Sequence, residues 1–172
     1  NDKIDKKTVS WKRFYLTLKD ADIENEKLAK KMGKDYIEIS PTKMKLFPGS
    51  IPVLTYLKKH YNLYLITNGF KDVQLKKINN CGLRRFFVQI FTSNDIGIHK
   101  PNIEFFDKVI ELSNSNKEES LVIGDDLIVD IEGASKAGID QVWFNNRNLL
   151  ENETNITPTI EINRLTDLIH IL

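Results

Sequence analysis

The amino-acid sequence predicts an α/β protein whose main part is a Rossmann-like parallel sheet flanked by helices. Three observations carry this. Short apolar runs recur at 63–67, 89–92, 121–123 and 141–144, a length that suits buried strands. Segments with apolar residues three and four apart lie between them. Polar, glycine-bearing turns follow two of the runs, at Thr67-Asn68-Gly69 and Gly124-Asp125-Asp126. Strands alternating with helices build βαβ units, in which parallel strands are joined by right-handed crossovers.

The chain opens differently. Residues 9–19 place Trp11, Phe14 and Leu18 on one helical face, and residues 25–38 do the same with Leu28, Met32 and Tyr36. Ser40-Pro41 closes this pair, because the residue before a proline resists the helical conformation. The segment reads as a small helical lobe. Phe47-Pro48-Gly49-Ser50 is a turn, with Ser50 as cap of a helix carrying Ile51, Leu54 and Leu57. After strand 63–67, a helix with Val73, Leu75 and Ile78 is closed by Gly82. Strand 89–92 leads through a loop to a helix over 102–113, capped by Asn102, with Phe106, Val109 and Ile110 inward. Strand 121–123 precedes a helix over 129–137 that ends at Gly138. Strand 141–144 precedes a polar, Asn-rich surface loop at 145–158. Ile160-Glu161-Ile162 forms a fifth strand and residues 164–171 a last helix.

Composition narrows the function classes. Hydrophobic residues at 41% and charged residues at 28% give an ordinary globular balance. A net charge of +1, with lysines spread along the chain, gives no electrostatic reason for a nucleic acid polymer as partner. The single cysteine, Cys81, excludes an internal disulfide framework and a cysteine-based zinc cluster, and reads as a small buried residue. No apolar run approaches the roughly 20 residues that span a bilayer, so no membrane partner is expected. No signal peptide is visible, and the expected location is cytoplasmic. Asn152-Glu153-Thr154 and Asn155-Ile156-Thr157 match the glycosylation triplet, which is common by chance.

Sites in open parallel sheets form at the carboxyl ends of the strands. Thr67-Asn68-Gly69 offers a hydroxyl and turn N–H groups to a phosphoryl oxygen, and equally reads as a turn with a helix cap. Lys100-Pro101 offers a counter-charge for phosphate, or a solvated lysine before a helix. Gly124-Asp125-Asp126 with Asp130 gathers three carboxylates at one strand end. Asp125 and Asp126 repel one another unless a cation compensates, and hard oxygens beside a phosphate suit Mg²⁺. The same acids also suit the start of the next helix.

Thr-Asn at one strand end, Lys-Pro, then Gly-Asp-x-x-x-x-Asp at a later strand end together resemble the haloacid dehalogenase superfamily. The likeness extends to Ile66-Thr67-Asn68-Gly69-Phe70, to Gly97-Ile98-His99-Lys100-Pro101, and to Ile131-Glu132-Gly133-Ala134 with Ala137-Gly138. Thr-Asn-Gly-Phe is most similar to the pyrimidine 5′-nucleotidase-like phosphatase branch. The resemblance implies two parts: residues 1–46 as a partial helical cap, and 47–172 as a Rossmannoid core lacking its first strand. It implies a Mg²⁺-dependent phosphomonoester hydrolase that works through an aspartyl phosphate on a small phosphorylated metabolite, among them nucleoside 5′-monophosphates. By motif position Thr67 binds the phosphoryl oxygens, Asn68 and Gly69 add backbone contacts, and Lys100 neutralises nucleophile and phosphate. Asp125 is the implied Mg²⁺ ligand and Asp130 orients Lys100 or a metal-bound water. Asp126 has no assigned role.

The family nucleophile sits in an Asp-x-Asp motif after a first strand, and no such motif precedes Thr8. Leu16-Thr17-Leu18-Lys19-Asp20-Ala21-Asp22 imitates one, but Glu24 stands where the motif wants a small or apolar residue. The nucleophile is therefore expected upstream of Asn1, the chain by itself is expected to be inactive, and residues 16–22 are expected to be helical. Strands 63–67 and 121–123 are then expected not to pair directly but to stand two strand spacings, about 10 Å, apart. A metal-free 2-haloacid dehalogenase and a non-catalytic binding protein on the same scaffold are the alternatives.

Overall fold

A computed structural model describes residues 6–147, 149 and 156–172. Asn152 and Asn155, which begin the two triplets, lie outside the described residues, as does the middle of the loop at 145–158. The chain divides into two compact units, one of Asn1–Lys45 with Asp72–Gly82, the other of Leu46–Lys71 with Leu83–Leu172.

In the first unit, α1 (Lys6–Asp20) and α2 (Glu26–Ile39) pack against each other. The side chain of Asn25 caps α2, accepting from the Leu28 N–H at 2.9 Å. The buried face of α2 is not the predicted one. Ala29 and Gly33 are buried, whereas Leu28 and Tyr36 are 38% and 41% exposed and Met32 is half-buried. The reason is backbone proximity. A Cβ on Gly33 would meet the Ser10 carbonyl oxygen at 2.7 Å and Trp11 Cα at 2.9 Å. Small residues let the helices touch, and the large side chains are displaced to the flanks of the seam. Residues 16–20 form the last turns of α1, followed by a turn at 21–22, so the Leu16–Asp22 imitation is a helix end. The unit also takes in most of α4 (Lys71–Asn80), where Asn80 Nδ2 donates to the Pro41 carbonyl at 2.8 Å. Cys81 is a free thiol, half-buried rather than buried.

The second unit carries the strands. α3 (Ser50–His60) precedes β1 (Tyr64–Thr67), and β1 pairs in parallel with β2 (Gln89–Thr92), Thr67 opposite Thr92. Gly49, with φ +82°, caps α3; Ser50 is its first residue and donates its hydroxyl back to the Phe47 carbonyl, so it does not cap the helix as predicted. The loop expected after β2 is a short helix, α5 (Ser93–Ile96), which Thr92 caps through the Asp95 N–H. After α6 (Ile103–Ser113), capped by Asn102, β3 (Leu121–Gly124) pairs in parallel with β4 (Asp140–Phe144), and β4 with β5 (Ile160–Ile162). α8 (Leu168–Ile171) ends the chain.

β1 and β3 share no ladder among the described residues, so the strands form a two-stranded and a three-stranded section. Leu121 packs with a cluster of Val53, Leu57, Val142 and Phe144, while its neighbour Val122 packs with Phe105, Phe106, Ala134 and Ile139. Alternation along a strand puts these clusters on opposite faces, as a helix-covered parallel sheet requires. Complete burial of Phe105 and Phe106 stabilises this arrangement by about 1.5–3 kcal/mol each.

The helix predicted over 129–137 takes another form. Leu127–Glu132 is π-helical, and only Gly133–Lys136 (α7) is α-helical. Both the Asp130 and the Ile131 N–H groups donate to the Asp126 carbonyl, at 2.9 and 3.2 Å, which widens the turn by one residue.

Candidate active site

Thr67, Asn68, Gly69, Lys100, Asp125 and Asp130 all belong to the second unit; Thr67 ends β1, Asn68 and Gly69 follow it, Asp125 follows β3, Lys100 lies in the loop before α6, and Asp130 lies in the π-helical turn after β3. Thr67 Oγ1 accepts the Gly69 N–H at 3.0 Å, which closes the Thr-Asn-Gly turn and leaves the hydroxyl proton without an acceptor among the described residues. Asn68 reaches Lys100: its Oδ1 accepts the Lys100 N–H and its Nδ2 donates to the Lys100 carbonyl, both at 2.9 Å. Lys100 Nζ meets Asp130 Oδ1 at 2.5 Å, with side chains only 9% and 12% exposed. The other Asp130 oxygen accepts the Asp126 N–H at 3.3 Å.

The wide turn and two glycines make this pair possible. A Cβ on Gly124 would lie 2.4 Å from Asp130 Cβ and 2.6 Å from its Oδ2. A Cβ on Gly133 would meet Phe106 Cε2 at 2.8 Å and Pro101 Cα at 3.0 Å. Asp130 is thus folded back over the end of β3, and the start of α7 is pressed against the residue following Lys100.

The two remaining acids separate. Asp126 Oδ1 accepts the Ile128 and Val129 N–H groups at 3.1 and 2.8 Å, so it caps the π-helical turn. Asp125 presents a carboxylate with no hydrogen bond or ion pair among the described residues, while its backbone carbonyl accepts the indole N–H of buried Trp143 at 3.3 Å. Asp125 lines a recess of about 70 Å³ with Asp126, Asn145 and Arg147. Asn145 holds the wall of this recess: its side chain bonds to the Leu149 N–H and carbonyl and to Glu161.

Among the described residues no group of three or more His, Cys, Asp or Glu side chains converges on one point, so they form no all-protein metal cage. Mg²⁺ rarely uses one. It keeps several waters and takes one or two carboxylates together with phosphate oxygens. A carboxylate on a fixed backbone with no partner among the described residues, as at Asp125, fits one such ligand position; Asp126 commits one of its two oxygens to the cap.

Sequence reasoning missed Ser93, Trp143 and Asn145. Ser93 immediately follows β2, and the strand-end rule could have found it. Trp143 and Asn145 read only as strand and loop residues, because Asp125 and Glu161, which they bond, lie 18 and 16 residues away.

A parallel sheet with a lysine, a hydroxyl and acids gathered at its strand ends defines a Rossmann-like hydrolase core. Residues 10–144 match the haloacid dehalogenase-like hydrolase family, and the chain belongs to it. It is 39% identical over 128 residues to the HAD-hydrolase YfnB of Bacillus subtilis (strain 168), covering 74% of this chain and 54% of that protein. It is 37% identical over 117 residues to the pyrimidine 5′-nucleotidase PynA of Streptococcus pneumoniae (strain ATCC BAA-255 / R6), covering 67% and 49%. The chain spans about half the length of the curated relatives it matches. A crystal structure of Bacillus subtilis YfnB, described as bound to magnesium, superposes with a TM-score of 0.88 at 33% identity, covering 99% of this chain and 74% of that one. L-2-haloacid dehalogenase from Xanthobacter autotrophicus shares the fold at 17% identity, with a TM-score of 0.79 over 96% of this chain and 74% of that one. No helix among the described residues is long and apolar enough to cross a membrane.

Proposed function

We propose that the full-length protein is a Mg²⁺-dependent phosphomonoester hydrolase acting through an aspartyl phosphate, with nucleoside 5′-monophosphates as its substrates. The observation that carries this is the buried Lys100–Asp130 pair beside the Thr67 turn, with an Asp125 carboxylate that has no hydrogen bond or ion pair among the described residues. Similarity to a pyrimidine 5′-nucleotidase supports the substrate class. In this reading a segment outside these 172 residues supplies the first strand and the nucleophilic aspartate. That carboxylate attacks phosphorus, the P–O ester bond breaks, and the departing oxygen takes a proton from solvent to leave as the alcohol. Water then attacks the acyl phosphate, which releases inorganic phosphate, returns a proton to solvent and restores the carboxylate. Thr67 donates its hydroxyl proton to a phosphoryl oxygen. The Lys100 ammonium offsets the charge of the nucleophile and the transferring group. Asp130 holds that ammonium in place. Asp125 holds Mg²⁺, which neutralises charge on the phosphoryl group when bound.

The test is hydrolysis of nucleoside monophosphates and sugar phosphates by full-length protein, with EDTA and with Mg²⁺ restored. Activity is expected to vanish with EDTA and return with Mg²⁺, and Asp125→Asn is expected to raise the Mg²⁺ concentration needed. Phosphomonoester turnover indifferent to EDTA would overturn the Mg²⁺ dependence, and halide release from a 2-haloacid with no phosphomonoester turnover would overturn the phosphatase reading and favour the metal-free dehalogenase.

A further inference from the structure

A lysine side chain has four rotatable bonds, so an ammonium held to one point needs its main chain anchored as well as its tip. At Lys100 the anchor is Asn68. Its carboxamide engages both the N–H and the carbonyl of Lys100 at 2.9 Å, a two-point clamp between residues 32 apart in sequence. Asn68 is itself braced, since its carbonyl accepts the hydroxyl of buried Ser93 at 3.3 Å. One hydrogen-bonded chain therefore runs from Ser93, the first residue of α5, through Asn68, just after β1, to the main chain of Lys100, and through its ammonium to Asp130 beyond β3.

We propose that Asn68 is a positioning residue: its side chain acts on the reaction through Lys100, in addition to any backbone contact with phosphate. This rests on the reading of Lys100 as the phosphate counter-charge. Both kinds of polar atom on the carboxamide are engaged with Lys100, and an aliphatic or carboxylate replacement cannot satisfy both partners. Asn68→Asp keeps nearly the same shape and the acceptor but loses the donor, so it tests the clamp without opening a cavity.

The experiment is a double-mutant cycle in the full-length protein, with p-nitrophenyl phosphate and Mg²⁺. Asn68→Ala is expected to lower kcat/KM about 100-fold, the usual cost of misplacing a reacting group by an ångström. In a Lys100→Met background the same change is expected to cost no more than about twofold, because interacting residues are non-additive. Equal losses in both backgrounds would overturn the proposal. A second arm needs no turnover. In the wild type the Lys100 ammonium protons are expected to exchange slowly enough for detection by NMR, and in Asn68→Asp to be lost to rapid exchange. Ammonium signals unchanged in Asn68→Asp, or absent from the wild type, would also overturn it. If the full-length protein proves inert to every phosphomonoester, the reading of function falls, and the NMR arm decides whether the clamp exists.

Discussion

Lys100 meets Asp130 at 2.5 Å, and Lys71 meets Asp95 at the same distance. The resemblance ends there. The first pair has side chains 9% and 12% exposed, a lysine whose main chain Asn68 clamps, and an aspartate pressed over Gly124. The second is 54% and 35% exposed, and its aspartate belongs to a four-residue helix capped by Thr92. Separation alone therefore says little about an ion pair. Charges out of water have large desolvation costs offset by large attraction, so losing one partner leaves a severe imbalance; charges in water are screened and replaceable.

The largest break in the comparison is Asp130→Asn. It leaves the Lys100 ammonium buried without the ion-pair partner seen among the described residues, with an expected loss of about 3–5 kcal/mol in urea unfolding of these 172 residues. Adding Lys100→Met should recover most of that loss, because a neutral pair has no charge to desolvate. A double variant as unstable as Asp130→Asn alone would show that packing, not charge, dominates.

A smaller effect is expected at Gly124→Ala. The new methyl group would sit 2.4 Å from Asp130 Cβ, on a strand end that cannot retreat from its ladder with β4. Overpacking of this kind typically costs about 1–3 kcal/mol. The Asp130 carboxylate should also move off Lys100, which a crystal structure of the variant would record. An unmoved Asp130 would show that the turn is softer than this geometry implies.

The smallest effect sharpens the other side. Burial pushes the Asp95 carboxyl up, but hydrogen bonds from Lys71 and Thr92 and the Lys71 charge outweigh it and hold Asp95 below its ordinary value of 3.8. A carboxyl lowered in the folded state contributes stability that is present above the unfolded value and lost as pH falls through the folded one. With solvent screening, the expected difference between wild type and Asp95→Asn is under about 1 kcal/mol at neutral pH. It should shrink as pH drops below that ordinary value and at high salt. A difference independent of pH from neutral to well below it would remove the ion pair from the account.

Features that depend on neighbours along the chain are legible in the sequence. Apolar runs of three to five residues predicted strands that correspond to β1, β2, β3 and β4, and Asn102 was legible as the cap of α6. Thr67, Lys100 and the acids after β3 were picked out because strand ends in a parallel sheet gather polar chemistry, and only the resemblance to the family joined them as a set. Three other features were decided only by tertiary structure. Asn68 clamps a residue 32 positions away. Gly33 sits where another helix backbone passes, which moved the buried face of α2 from Leu28 and Tyr36 to Ala29 and Gly33. Asp125 and Asp126, adjacent and chemically identical, parted into a carboxylate with no hydrogen bond or ion pair among the described residues and the cap of the π-helical turn Leu127–Glu132. Periodicity and residue type report what a side chain prefers; which of its atoms remain available depends on the backbone that comes to lie beside it, and that is a property of the folded chain.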